Sequence, residues 1–134
     1  MRTRASLIIA ILSVAALGIA SCSSDGATIE TVSPSAAAET ISDDGDVIVL
    51  DIRTPEEFSQ GIIEGAVNID FYEPDFNEQL DALDKDASYV VYCRSGNRSG
   101  QSLASFEELG FTEVSEVDGG IVAWYEQGLP VSLP

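Results

Sequence analysis

Two apolar runs of strand length stand out from the chain: VIVLDI from Val47 to Ile52, and SYVVYC from Ser88 to Cys93. Runs of this kind, apolar on successive positions rather than alternating, predict strands buried on both faces. Ile29 to Val32, Ala66 to Ile69 and Glu113 to Val117 predict shorter strands. Helical signals fall between them. Ser33 caps a helix with Pro34 at its first position, which Ser42 to Asp46 then breaks. Thr54-Pro55-Glu56-Glu57 is a second start signal, leading to Phe58. Phe76, Leu80 and Leu83 recur at helical spacing among acids, predicting an amphipathic helix over Phe71 to Asp86. Ser99 to Leu109 carries Leu103, Phe106 and Leu109 on one face with Gly110 as its stop. After the turn Asp118-Gly119-Gly120, Ile121 to Gln127 predicts a last helix, closed by Gly128 and Pro130. Strands alternating with helices predict an α/β fold: a mostly parallel sheet with helices on both faces, binding its ligands at the carboxyl ends of the strands.

The first residues belong to a different pattern. Arg2 and Arg4 precede an apolar stretch from Leu7 to Ala20, short for a bilayer span and suited to a secretory signal. It ends in Ile19-Ala20-Ser21-Cys22, which resembles the lipobox of bacterial lipoproteins. That resemblance implies removal of residues 1–21, acylation of Cys22 (with palmitate among the chains), a tether over 22–27, and a domain over 28–134. An ordinary signal peptide or an uncleaved N-terminal anchor are the alternatives. Each of the three puts the domain outside the cytoplasm, and the first anchors it by lipid to a bacterial membrane.

Charge narrows the partners. Cleavage before Cys22 leaves 134 − 21 = 113 residues, the size of one domain, with 6 − 2 = 4 basic residues against 23 acidic ones. A net charge of 4 − 23 = −19 repels nucleic acid and anionic lipid surfaces alike. The four cations are Arg53, Lys85, Arg94 and Arg98, so half of them fall in the loop that follows Cys93. In so acidic a chain, that clustering reads as an anion site.

With Cys22 acylated, Cys93 has no intramolecular partner, and no structural disulfide can form. A free thiol outside the cytoplasm invites oxidation, so its presence suggests use; a buried cysteine serving as a small hydrophobe is the alternative. Cys93 ends a strand, and a helix begins near Ser99. Amides from Arg94 to Ser99 can therefore curl around a point just beyond the sulfur, with Gly96 and Asn97 supplying the backbone freedom. Such a nest, aided by the helix dipole, favours the thiolate. The chain holds no histidine, which excludes a Cys-His pair and leaves activation to amides, dipole and arginines. With no histidine and one free cysteine, no metal cluster is expected, and the reading needs no cofactor.

Four blocks, DIRTPEEF (51–58), GIIEGAVNI (61–69), CRSGNRS (93–99) and GGIVAWYEQGLPV (119–131), together resemble the single-domain rhodanese family in its order and spacing. The resemblance spans nearly the whole of the mature domain. It implies a rhodanese-like α/β fold in which the loop cysteine takes a sulfane sulfur as a persulfide and passes it to a nucleophile. One departure is that relatives usually carry Gly-His-Ile where this chain has Gly61-Ile62-Ile63, a change that bears on local packing and acceptor contacts rather than on the cysteine loop. Related phosphatases separate cysteine and arginine by five residues. Here four, Arg94 to Asn97, lie between Cys93 and Arg98, the sulfurtransferase spacing.

On that resemblance Cys93 is the nucleophile toward thiosulfate or a similar small anionic donor, and a thiol or cyanide is the acceptor. Amides from Arg94, Ser95, Gly96, Asn97, Arg98 and Ser99 would stabilise the sulfur anions. Arg94 and Arg98 would draw in the donor, unless they pair with surface carboxylates. Asp51 and Arg53 support the site, either orienting the loop or pairing with Glu56 or Glu57. Trp124 and Tyr125 read as core and rim, and Glu107 and Glu108 as a solvated helix face. Two other classes remain open: a non-catalytic protein-binding module of the same shape, and a thiol redox carrier.

Overall fold

A computed structural model describes residues 26–134 of the chain. The signal segment and Cys22 lie outside the described residues. Five strands, β1 (Thr28–Val32), β2 (Ile48–Asp51), β3 (Val67–Asn68), β4 (Ser88–Tyr92) and β5 (Glu113–Val117), form one sheet in the order β1-β5-β4-β2-β3. Every pairing is parallel. Parallel neighbours need crossover connections, and the intervening helices α1 (Pro34–Asp43), α2 (Pro55–Ser59), α3 (Phe76–Asp81), α4 (Asn97–Leu109) and α5 (Gly120–Glu126) supply them.

Side chains alternate across each strand, so both faces of the sheet become core. Tyr89, Val91 and Cys93 point to one side with Leu50, Ile52 and Val114, where Phe76, Leu80 and Phe106 from α3 and α4 cover them. Val90 and Tyr92 point to the other with Val49 and Val117, under Ala37 of α1 and Trp124 of α5. Ile62, the departure noted in GIIEGAVNI, is buried in this second cluster, and its amide and carbonyl pair with Ser132 at 2.8 and 2.9 Å. The departure is thus absorbed as packing, with the C-terminal tail laid alongside.

Local signals explain most helix ends. The Ser33 hydroxyl accepts from the Ala36 amide, and Thr54 and Glu57 form a reciprocal capping box. The amphipathic helix over Phe71 to Asp86 is much shorter than its pattern predicts. Pro74 disfavours helical backbone at Glu73, and the carboxylates of Asp70 and Asp84 accept from the amides of Tyr72 and Asp86, making local turns on either side. Only Phe76–Asp81 is helical, and Phe76 and Leu80 are its buried residues. The α4 helix begins at Asn97, two residues earlier than Ser99, because Gly96 takes φ +91° and turns the chain into the helix directly. Ser99 consequently sits in the first turn, buried, rather than at the boundary.

Candidate active site

Cys93 follows β4, the central strand of the sheet, at its carboxyl end. The residue is 1 % exposed, so its sulfur must find partners inside the protein. It finds them in the turn that follows. The Gly96 amide donates to Cys93 Sγ at 3.1 Å, and the Ser99 hydroxyl lies 3.3 Å from the same atom. Burial by itself would raise the thiol; the Ser99 hydroxyl and the amides of Ser99, Ser95 and Gly96 outweigh it, so the thiol is lowered from its ordinary range.

The loop is held in that shape from behind. A Cβ on Gly120 would lie 2.5 Å from the Cys93 carbonyl oxygen and 2.6 Å from the Arg94 carbonyl, so α5 can approach only as glycine. The first amides of α5 then cap those carbonyls, Ile121 N–H donating to Cys93 O at 3.0 Å and Val122 N–H to Arg94 O at 3.1 Å. With its carbonyls turned outward to α5, the loop keeps its N–H groups for the sulfur.

The loop side chains divide sharply. Arg98 reaches Glu57 of α2, Nη1 to Oε2 and Nη2 to Oε1, both at 2.8 Å, and its guanidinium lies 5.4 Å from the Tyr72 ring centre. That bidentate fork occupies Arg98, so of the two arginines only Arg94, exposed and without an ion pair among the described residues, is open to an incoming anion. Asn97 turns away and accepts from Gln101. Ser95 is exposed.

Asp51 and Arg53 pair with each other, not with Glu56 or Glu57. Both are buried, at 0 % and 5 % exposure, and the Arg53 Nη2 lies 2.6 Å from Asp51 Oδ2. A guanidinium that deep needs its countercharge adjacent, and a residue two positions back along an extended chain offers it on the same face. Arg53 also donates to the Gly61 carbonyl, and Asn68 bonds the Asp51 and Arg53 carbonyls. Neither side chain hydrogen-bonds the cysteine loop; they fix the carboxyl end of β2 beside it. An open groove of about 580 Å³ lies next to Arg53, lined by Gly61, Ile121, Val122, Tyr125 and Val131, and does not include Cys93. Trp124 is 3 % exposed and Tyr125 is 69 % exposed.

Two residues of the site were not legible from the chain. Glu57 reads locally as a capping acid, and its grip on Arg98 spans 41 positions. Glu116 reads as one more acid in EVSEV, yet it is 2 % exposed and its Oε1 lies 2.5 Å from the Ser99 hydroxyl oxygen. The available signal was in the strand itself, where period 2 puts Glu116 on the same face as the apolar Val114.

A cysteine-bearing loop at the carboxyl end of a central parallel strand, closed by a helix N-terminus, defines an α/β domain whose loop donors face the cysteine sulfur. The rhodanese-like domain family matches residues 33–127, and the chain belongs to that family. It is similar to a sulfurtransferase of Allochromatium vinosum, at 34% identity over 106 residues, covering 79% of this chain and 97% of that one. A thiosulfate sulfurtransferase of Pseudomonas aeruginosa is 42% identical over 77 residues, 57% of this chain and 67% of its own. The crystal structure of a rhodanese-related protein from Thermoplasma volcanium superposes with a TM-score of 0.69 at 32% identity, covering 78% of this chain and 99% of that one.

The clamp between α2 and α4 is pH-dependent. The Arg98 hydrogen bonds, outweighing the effect of burial, hold Glu57 down from 4.5 to about 2. A depressed carboxylate stabilises the folded state fully above its unfolded value and loses that contribution as pH falls through the folded one. Wild type should therefore exceed Glu57→Gln by about 1–2 kcal/mol in urea unfolding above about pH 5, after allowance for partial exposure, with the gap nearly closed at about pH 2. A gap that stays constant across that range would contradict the clamp.

Proposed function

We propose that the protein is a rhodanese-type sulfurtransferase, anchored by lipid outside the cytoplasm, that carries a sulfane sulfur on Cys93. The observation that carries this reading is the buried sulfur ringed by N–H and O–H donors, with the thiol lowered. The four-residue gap to Arg98 and the sulfurtransferase names of the relatives support it.

In the proposed reaction the Cys93 thiolate attacks the outer sulfur of thiosulfate. The new S–S bond forms as the bond to the inner sulfur breaks, its electron pair leaving with sulfite, and Cys93 holds a persulfide anion. Cyanide or a thiolate then attacks the outer sulfur and departs with it as thiocyanate or a persulfide, returning the electron pair and the thiolate to Cys93. No external oxidant or reductant is required. The Gly96 amide and the Ser99 hydroxyl would stabilise the sulfur anion in both steps, a role of the oxyanion-hole kind. Arg94 would meet the incoming anion at the mouth, offsetting the −19 surface, while Arg98 fixes the loop through Glu57.

Purified protein should turn over thiosulfate with cyanide, and Cys93→Ser should lower that rate by at least about 10³-fold with the fold intact by circular dichroism. Equal turnover in the variant, or no turnover by wild type with several sulfur donors, would return the protein to a binding module or redox carrier.

Anchoring is checked separately. Cys22→Ala should move the protein from the membrane fraction of a bacterial host to the soluble fraction, and unchanged retention would count against the lipid.

A further inference from the structure

Glu116 is a buried carboxyl group with no cation paired to it among the described residues. It stands on β5 and is turned under the cysteine loop, where a Cβ on Gly96 would lie 3.6 Å from its Oε1. Its register partners are Thr31 on β1 and Val91 on β4, and Ser99 faces it from α4. The ionisable groups bearing on it are Asp118, just beyond the end of β5, and Cys93 beyond Ser99. Arg98, on the same helix as Ser99, is turned to Glu57, and no basic side chain forms an ion pair with Glu116 among the described residues. Burial raises the carboxyl from its ordinary range, opposed by the Ser99 and Thr31 hydroxyls and aided by Asp118.

The Ser99 hydroxyl stands between two acceptors, Cys93 Sγ at 3.3 Å and Glu116 Oε1 at 2.5 Å, and it has a single proton. It cannot donate to both. An ionised Glu116 takes that proton and leaves the sulfur with the amides alone. A neutral Glu116 becomes the donor to Ser99 Oγ, and the serine proton then turns to the sulfur anion. We propose that Glu116 is a positioning residue for sulfur transfer: as the neutral acid it directs the Ser99 hydroxyl to Cys93, and as the carboxylate it withdraws it. The same pair supplies a proton path in a chain without histidine. A proton can leave Cys93 for Ser99 Oγ while the serine proton passes to Glu116 Oε1, which converts thiol and carboxylate into thiolate and acid with no change in total charge.

This inference rests on Cys93 being the reactive sulfur, so the test reads the thiol directly. The rate of Cys93 alkylation by iodoacetamide is measured against pH in wild type, Glu116→Gln, Ser99→Ala and the double variant. Glutamine is neutral and can still donate to Ser99 through its amide. At a pH below the measured wild-type midpoint, Glu116→Gln should react about threefold faster, the change that half a unit in the midpoint produces. With Ser99→Ala in place, the same substitution should change the rate much less. An unchanged profile in Glu116→Gln would overturn the proposal. So would an equal acceleration in both serine and alanine backgrounds, which would mean charge acting through space without the hydroxyl.

If Glu116→Gln does not fold, wild type supplies the test. Its infrared spectrum should contain a protonated-carboxyl band titrating above the ordinary carboxylate range, and alkylation of Cys93 should shift that band. A band indifferent to alkylation would overturn the proposal. Thiosulfate turnover measured alongside separates the two readings. An alkylation shift without turnover would sink the sulfurtransferase reading and keep the role of Glu116, whereas turnover with an unmoved thiol would do the reverse.

Discussion

A sulfur anion held in the interior, with no histidine anywhere in the chain, must be stabilised by neutral donors aimed at it. At Cys93 those donors are the Gly96 amide and the Ser99 hydroxyl, with help from the amides of Ser95 and Ser99. Burial works against the anion and the donors work for it; the donors win, and the thiol is lowered. Most of the surrounding architecture follows from that contest. The amides point inward only because the chain turns through a left-handed Gly96 into α4, and because the loop carbonyls are met from outside by α5. Gly120 is where this demand is most severe, since any side chain there would strike the loop backbone.

The scaffold serves the loop by placing it. Parallel strands with both faces covered bring Cys93 to the carboxyl end of the central strand β4, flanked by β2 and β5. On the β2 side, the buried Asp51–Arg53 pair and Asn68 fix the neighbouring strand end, and Glu57 grips Arg98. On the β5 side, Glu116 closes the hydrogen-bond chain through Ser99. The charge relations also sort the arginines by task. Arg53 and Arg98 are held by their own carboxylates, which leaves Arg94 the exposed arginine of the loop without an ion pair among the described residues.

Much of this could be read from the chain. VIVLDI and SYVVYC are apolar at most positions, Asp51 and Ser88 apart, because both faces are buried, and Thr54 and Ser33 announce their helices by local hydrogen bonding that tertiary packing does not override. The cysteine loop was legible because it is contiguous. What stayed hidden depends on contacts between distant segments. Nothing near Arg98 in sequence marks Glu57 as its partner, and in EVSEV only the strand period, which sides Glu116 with Val114, sets it apart from the exposed Glu113. The overlong reading of α3 has a different cause. Apolar spacing persists through Phe71 and Leu83, both of which pack against the core, but Pro74 and the aspartates satisfy the backbone locally and remove the need for helix there.

Everything turns on the fate of one sulfur atom. The intact mass of the protein after incubation with thiosulfate, followed by peptide mapping, tests this most directly. The account predicts a gain of one sulfur located on Cys93 and lost again on addition of cyanide. No gain with thiosulfate or other sulfane donors, or a gain located on some other residue, would contradict it.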